Sequence, residues 1–301
     1  MKIKRLHACT GHRASLYALV PGQDDRHFIT AGGDGWVVEW NLDNPENGQL
    51  IANTETQLFS LCALTEKSRL VAGNMHGGLH WLVRDRPDKT RNVQHHKRGV
   101  YDILELGDYL FTVGGDGVLT RWDIATGRTV ESIQLSSQAL RAIAYADQVG
   151  ELVVGSSDHN IYWLDAQTLA LKHVVRGAHE NSVFSLACSP NGQRLLSGGR
   201  DALLKVWMVD TKEIAPQSPE QAAHLFTLNH IAFSPDGHLF ATASRDKTFK
   251  IWDAQTYELL KVVDTLRLGG HINSVNRLLW HGGGLISVSD DRRAMIWSHE
   301  P

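Results

Sequence analysis

The segment LSGGRDALLKVWM (residues 196–208) holds Ser197, then Asp201 four residues on, then Trp207 six beyond that, and this spacing returns four more times along the chain. ITAGGDGWVVEWN (29–41), FTVGGDGVLTRWD (111–123), ATASRDKTFKIWD (241–253) and ISVSDDRRAMIWS (286–298) supply Thr30/Asp34/Trp40, Thr112/Asp116/Trp122, Thr242/Asp246/Trp252 and Ser287/Asp291/Trp297. Two gaps between successive tryptophans are twice the unit, so each should hide a degenerate copy. VAGNMHGGLHWLV (71–83) places His76 at the Asp position and Leu82 at the Trp position, while VVGSSDHNIYWLD (153–165) places Asp158 and Leu164 there. In these two copies Trp81 and Trp163 fall one place early, and Ala72 and Val154 replace the hydroxyl. The unit therefore ends at 40, 82, 122, 164, 207, 252 and 297, which makes seven repeats of 40 to 45 residues.

Short apolar or alternating runs divided by turn residues fill each unit, which is a pattern of strands. In the sixth, LNHIAFSPDGHLFATASRDKTFKIWD (228–253) reads as a strand, a turn at 234–237, a strand, a tight turn at 245–247 and a strand, with TYELLKVVD (256–264) as the fourth. Four antiparallel strands repeated seven times predict an all-β, seven-bladed β-propeller. The chain is expected to be one domain over 1–301, with repeats near 10–52, 53–93, 94–135, 136–175, 176–218, 219–265 and 266–301 plus 1–7. Too little follows Trp297 to make a fourth strand for the last unit. Lys2-Ile3-Lys4-Arg5-Leu6 alternates apolar with basic and suits a half-buried edge strand, so it is expected to pair onto the last blade and close the ring.

Composition narrows the class. The 301 residues are 42% hydrophobic and 21% charged, which excludes disorder and any long apolar span. Thirty basic against 33 acidic residues leave a net charge of -3, which offers no broad field for general nucleic-acid binding and nothing that names a membrane. Cys9, Cys62 and Cys188 are odd in number and widely spread, and the first dozen residues never develop an apolar signal stretch. Free thiols in a reducing, cytoplasmic setting are the expectation.

At this point the chain resembles the WD-repeat (WD40) β-propeller family over essentially its whole length. That family carries a Gly-His pair about twenty residues before the Asp, and Gly11-His12, His95-His96, Ala178-His179, Ala223-His224 and Gly270-His271 occupy the place here. They fall in the same five units that keep Ser/Thr, Asp and Trp. A buried Asp needs donors, and an imidazole bridging it to a hydroxyl, with an indole N–H beyond, satisfies every polar group. Tetrads headed by His12, His96, His179, His224 and His271 are therefore expected as structural staples, each ending on its tryptophan: Trp40, Trp122, Trp207, Trp252 and Trp297. The second and fourth units, lacking them, are expected to be held by apolar packing and to be the less regular blades.

Other chemistry has weaker support. His-Asp-Ser sets mimic a hydrolase triad, but a catalytic set is needed once and facing solvent, whereas this one recurs five times. His95-His96 and the pair His76/His80 could ligate a metal, yet no HExxH motif or carboxylate cluster accompanies them. His281-Gly282-Gly283-Gly284 reads as a hairpin loop, because no Gly-x-Ser-x-Gly nucleophile exists for it to serve. Gly32-Gly33 and Gly114-Gly115 precede a tight turn without the strand-to-helix context of a phosphate cradle. Residues 84–89 (RDRPDK) alternate in sign and read as a solvated loop. No catalytic residue, metal or cofactor is expected.

The resemblance implies a binding face where the central channel opens. Carried over, its positions give Tyr17, Phe59, Tyr101, Arg141, Phe184, Asn229 and Asn276, with Ser15, Gln57, Gly99, Ala139, Ser182, Thr227 and Ser274 two places earlier. The residues before the Asp position are Gly33, Met75, Gly115, Ser157, Arg200, Arg245 and Asp290. Aromatic side chains and arginines dominate binding hot spots. The expected function is a non-catalytic scaffold or adaptor whose protein or peptide partner presents an apolar anchor beside an acidic or phosphorylated group. The opposing reading of the rings is packing between blades. The alternatives for the whole chain are a propeller hydrolase or lactonase with an axial metal, and a reader of phosphorylated or modified peptides.

Overall fold

The computed structural model describes residues 1–66, 68–215, 218 and 222–300. β1 (Lys2–Cys9) comes first and stands apart from the sheet that follows it. Blade one is β2 (Leu16–Pro21), β3 (His27–Gly32), β4 (Trp36–Asn41) and β5 (Asn44–Asn53), and blade two is β6 (Leu58–Ala63), β7 (Arg69–Asn74), β8 (Gly78–Val83) and β9 (Arg91–Gln94). Blade three is β10 (Val100–Leu106), β11 (Tyr109–Gly114), β12 (Val118–Asp123) and β13 (Arg128–Gln134), and blade four is β14 (Leu140–Ala146), β15 (Glu151–Ser156), β16 (Ile161–Asp165) and β17 (Leu171–Val175). Blade five has β18 (Val183–Cys188), β19 (Arg194–Gly199) and β20 (Leu204–Met208). Blade six is β21 (Leu228–Phe233), β22 (Leu239–Ser244), β23 (Phe249–Asp253) and β24 (Leu259–Val263), and blade seven uses β25 (Val275–His281), β26 (Gly284–Ser289) and β27 (Ala294–Glu300). A single helical turn, α1 (Thr265–Leu268), joins the last two blades, and no helix among the described residues is long and apolar enough to cross a membrane.

The first strands of the seven blades touch one another in a closed ring. Each second strand, such as β3, β15 and β22, is a continuous buried run, because a neighbouring blade covers each of its faces. The outermost strands β5 and β13 are mostly exposed. Apolar clusters fill the spaces between successive blades, as where Phe249 of blade six meets Trp297 of blade seven at 5.2 Å between ring centroids.

Ring closure follows the expectation from the sequence. β1 pairs antiparallel with β27 from Lys2↔Glu300 to Cys9↔Ala294, and the register shifts between Arg5 and His7. Ile3 and Cys9 point inward and are buried, while Lys2, Lys4 and Arg5 face out. His281 to Gly284 forms the expected hairpin, with Gly282 and Gly283 both left-handed.

Regularity departs from expectation. Blades two and four, which lack the tetrad, complete four strands, whereas blade five, which has it, shows three among the described residues. There β20 is flanked by two isolated bridges, Leu203↔Ala222 and Trp207↔Ile214. Blades one, three and six carry the tetrad yet are irregular at its last member, the β12–β13 register shifting between Arg121 and Trp122. The β4–β5 ladder passes from Glu39 to Asn41 without pairing Trp40, and the β23–β24 register shifts between Ile251 and Trp252. Residue 219, on the far side of the boundary expected at 218/219, and the final Pro301 lie outside the described residues.

Candidate functional site

Five blades carry the same four-residue staple. In blade five His179 Nδ1 lies 2.9 Å from Asp201, His179 Nε2 lies 2.7 Å from Ser197 Oγ, and Trp207 Nε1 donates to that oxygen at 2.8 Å. An indole N–H can only donate, so the serine hydroxyl accepts it and gives its own proton to His179 Nε2. The remaining imidazole proton is then on Nδ1 and is donated to the carboxylate. His12/Thr30/Asp34/Trp40, His96/Thr112/Asp116/Trp122, His224/Thr242/Asp246/Trp252 and His271/Ser287/Asp291/Trp297 repeat the set, with every link at 2.8 to 3.0 Å.

The staple tryptophans are core residues and not part of a binding surface. Trp40, Trp122, Trp207, Trp252 and Trp297 are all buried. Trp40 and Trp252 do more than donate to the staple. Trp40 Nε1 donates to Thr30 at 2.8 Å while its ring stacks on Phe28 at 6.5 Å, and Trp252 Nε1 donates to Thr242 at 2.9 Å while its ring stacks on Phe240 at 5.9 Å. The reason is the residue directly across the ladder. It is Phe28 opposite Trp40 and Phe240 opposite Trp252, but Leu110, Leu195 and Leu285 opposite Trp122, Trp207 and Trp297. In blades one and six the indole therefore also works as an apolar plate within its own sheet.

Backbone N–H groups of Arg13, Lys97, Glu180, Leu225 and Ile272 also donate to the staple carboxylates. Burial alone would raise the carboxyl pKa values. The imidazole and backbone donors outweigh it and hold Asp34, Asp116, Asp201, Asp246 and Asp291 below the usual range. The residue after each Asp position (Gly35, Gly77, Gly117, His159, Ala202, Lys247, Arg292) is left-handed in all seven blades, with φ between 65 and 90°. At Gly117 a Cβ would collide with the Ser136 carbonyl, so this turn needs glycine.

The channel mouth is built from a sevenfold irregularity. In every first strand the ladder skips one residue, and the skipped residues are Tyr17, Phe59, Tyr101, Arg141, Phe184, Asn229 and Asn276. A bulge re-aims the side chain it carries. The backbone N–H groups of Gly33, Met75, Gly115, Ser157, Arg200, Arg245 and Asp290 bond to the carbonyls of Ser15, Gln57, Gly99, Ala139, Ser182, Thr227 and Ser274. All three sets of mouth positions thus meet on one face.

Their side chains do different work. Tyr17 meets Phe59 edge-on at 5.5 Å, Phe59 stacks on Tyr101 at 5.7 Å, and the Arg141 guanidinium lies 4.2 Å from the Tyr101 ring and 5.1 Å from Phe184. These five form one half-buried arc over blades one to five. Gly99 and Gly115 admit the Phe59 and Tyr101 rings, since a Cβ at either would press on them. Arg141 also donates to Ser157 Oγ at 3.0 Å, so it belongs with the rings and not with the exposed Arg200 and Arg245. Asn229 and Asn276, expected to meet a partner, instead donate to the Val275 and Leu16 carbonyls of the next blade at 2.8 Å. Asp290 accepts from Asn276 at 2.8 Å, and Met75 is exposed. Sequence reasoning missed Leu225, Phe226 and Ile272, large exposed apolar residues just after the tetrad histidines of blades six and seven. Other units have Arg13, Lys97 and Glu180 directly after that histidine, which was the available signal.

The channel itself is crossed by an ion pair. Asp102 of blade three accepts from Arg277 of blade seven at 3.1 Å, and its other oxygen accepts the Ile143 N–H of blade four at 3.1 Å. His230 accepts the Leu278 N–H of blade seven at 3.2 Å, and burial together with the nearby Arg277 holds its pKa well below the ordinary value. In register these three align with Ala18, Ser60, Ala142 and Ser185. Opposite charges among small residues were legible as an axial pair, but only once the bulge register was known. Among the described residues no group of three His, Cys, Asp or Glu is placed to hold a metal. His95 contacts Thr120, and His80 contacts Asn74 and Asn92.

The WD40 family pattern, described as WD domain, G-beta repeat, matches residues 3–41, 171–208 and 218–253. The chain belongs to the WD40-repeat family. Among solved structures, the WD40 β-propeller domain of Doa1 superposes with a TM-score of 0.85 at 18% identity, covering 99% of this chain and 97% of that one. The chain is 23% identical over 209 residues to Transducin beta-like protein 3 of Rattus norvegicus, covering 68% of this chain and 22% of that protein. It is 27% identical over 205 residues to Ribosome biogenesis protein YTM1 of Podospora anserina, covering 65% and 40%. A third match, 30% over 106 residues, is to Anaphase-promoting complex subunit cdh1 of Dictyostelium discoideum, covering 35% and 14%. The matches thus span well under two thirds of these relatives' lengths.

Two blades of this WD40 propeller replace the family staple with other polar sets, where apolar packing alone was expected. In blade two Asn74 donates to His80 Nε2 at 3.0 Å, and His80 Nδ1 donates to Asn92 at 2.7 Å. In blade four Ser136 and Tyr162 hydroxyls both donate to Asp158, at 2.6 and 2.5 Å. Trp81 and Trp163, one place early, face the other side of their sheets and pack toward the following blade, Trp81 against Trp122 and Trp163 beside Trp207. Neither indole N–H finds an acceptor among the described residues.

Buried histidines of two staples and of the channel predict a pH response. Burial pushes His96, His224 and His230 below the ordinary imidazole value, so the unfolded chain binds protons that the folded chain refuses. Their contribution is complete above about pH 6.5 and declines as pH falls below it. The lowered aspartates add a second loss below about pH 4. The midpoint of urea unfolding is expected to drop as pH falls from about 6.5 to about 5.5; a flat midpoint across that interval would contradict the assignment of neutral buried imidazoles.

Proposed function

We propose that this chain is a non-catalytic protein-interaction scaffold or adaptor that receives a protein or peptide segment at the channel mouth. The observation that carries this reading is the arc Tyr17–Phe59–Tyr101–Arg141–Phe184, which bulges aim at one face and which stays half exposed there. Rings already held against glycine and guanidinium lose little freedom when a partner covers them. Exposed Met75, Leu225 and Phe226 extend the apolar surface, and exposed Arg200 and Arg245 supply donors for a carboxylate or phosphate. One relative is named as a subunit of the anaphase-promoting complex, which supports assembly as the role. The donor set in the channel supports the non-enzymatic reading, since the carboxylate of Asp102 is taken by Arg277.

The setting we propose is reducing and cytoplasmic. Cys9, Cys62 and Cys188 are unpaired, and burial pushes each thiol up to about 12.

The test is affinity capture with the wild type and with a Tyr101→Ala/Arg245→Ala variant of unchanged circular dichroism. Capture of a defined partner is expected to fall at least about tenfold, as removal of two hot-spot side chains implies. The remaining binding should weaken with added salt if an acidic or phosphorylated group meets Arg245. Equal capture by both proteins would remove the mouth from the binding face.

A further inference from the structure

Between blades one and two, on the outer wall and away from the mouth arc, lies a cleft of about 650 Å³ lined by Glu39, Leu50, Ala52, Leu82, Arg84 and Asp85, among others. Its floor breaks the register of the other blades. One place before the Trp position stands Glu39, where blades two to seven have Trp81, Arg121, Trp163, Val206, Ile251 and Ile296. Two places after the Trp position stands Arg84, where the others have Leu42, Ile124, Ala166, Val209, Ala254 and His299. Arg84 had been expected in a solvated loop. Its guanidinium instead turns inward and donates to Glu39 Oε2 at 2.8 Å.

Apolar residues fill the equivalent places in blades five and six, so an ion pair is not what the fold requires here. Only 9% of the Glu39 side chain is exposed, and its second oxygen, Oε1, meets no donor among the described residues. A buried carboxylate oxygen without a donor is unfavourable, and the penalty vanishes when a ligand brings an N–H to it. Charge points the same way. Glu39 and Arg84 cancel, and the exposed Glu55 and Asp85 at the rim leave the cleft negative. The walls between floor and rim are Leu50, Ile51, Ala52, Leu82 and Pro87, which suit an aliphatic stem. The volume lies within the range of small-ligand sites.

We propose that this cleft binds an aliphatic ammonium or guanidinium cation whose N–H groups donate to Glu39 Oε1, with its stem against the Leu50 and Leu82 walls. The cation is either a free alkylamine or the side chain of an Arg or Lys in a polypeptide. Neither source depends on the channel-mouth reading.

Calorimetric titration of the full chain at low salt with agmatine, spermidine and a short blocked peptide containing one arginine tests this. Saturable binding of at least one probe is expected, weakened about tenfold or more by Glu39→Gln and abolished by Ala52→Trp, which fills the cleft and leaves the ion pair intact. If Glu39→Gln fails to fold, Ala52→Trp carries the test. The Tyr101→Ala/Arg245→Ala variant is expected to bind the probes normally, so failure at the mouth and failure here are told apart. Binding of the amines alone assigns a small-molecule ligand, and binding of the peptide assigns a side chain. No saturable binding to the folded wild type, or binding undiminished by Ala52→Trp, overturns the proposal.

Discussion

Replacing Trp122 with alanine is expected to destabilise the protein by about 3–5 kcal/mol, against a net stability of about 5–15 kcal/mol for a typical protein. The indole is fully buried, its N–H donates to Thr112 at 3.0 Å, and its ring meets His95 at 4.8 Å and Trp81 at 6.3 Å between centroids. Removing it empties the space between blades two and three and takes a donor from the Thr112 hydroxyl, which still serves His96. Loss of volume is therefore the main term, with the hydrogen bond adding about 1 kcal/mol. Trp122→Phe should recover part of the packing but not the bond. Urea unfolding of both variants measures the split. A loss under about 1 kcal/mol for the alanine variant would mean that this space collapses freely, contrary to the close packing of a blade interior.

Deleting residues 1–9 is expected to have a larger effect still, abolishing the single cooperative transition. β1 is the outer strand of blade seven and continues directly into blade one, so its pairing with β27 joins the two ends of the ring through one sheet. Without it, β27 becomes an open edge, a template for aggregation, and the buried cluster of Met295 and Trp297 loses Ile3. Ile3→Asp is a milder version, placing a charge where Ile3 packs in the cluster of Phe249 and Trp297. Calorimetry should show a broadened, lower transition for the substitution and no cooperative transition for the deletion. An unchanged melting profile for the deletion would show that contact between first strands suffices to close the ring.

The channel-mouth residues show where reading the sequence stopped. The bulge positions could be listed by register, but Tyr101, Arg141 and Asn229 look alike in a list. Their fates diverge because of what the next blade offers: a ring face for Arg141, a free carbonyl at Val275 for Asn229. The same limit hid the staples of blades two and four. Asn74, His80 and Asn92 are spread over three strands and share no spacing with the tetrad. It also hid the second duty of Trp40 and Trp252, since their stacking on Phe28 and Phe240 depends on strand register and not on the spacing within the tetrad.

What the sequence determined by itself was the period, the five tetrads and the strand that closes the ring. Those features are local, repeat at fixed spacing, and follow from the alternation of strands and the donors a buried carboxylate needs. The tertiary structure alone decided which way Trp81 and Trp163 face, that blade five shows three strands among the described residues, that Glu39 and Arg84 floor a cleft, and that Asp102 meets Arg277 across the channel. The last two are contacts between residues 45 and 175 positions apart. No local pattern encodes them, because only closure of the sheets into a ring brings their strands together.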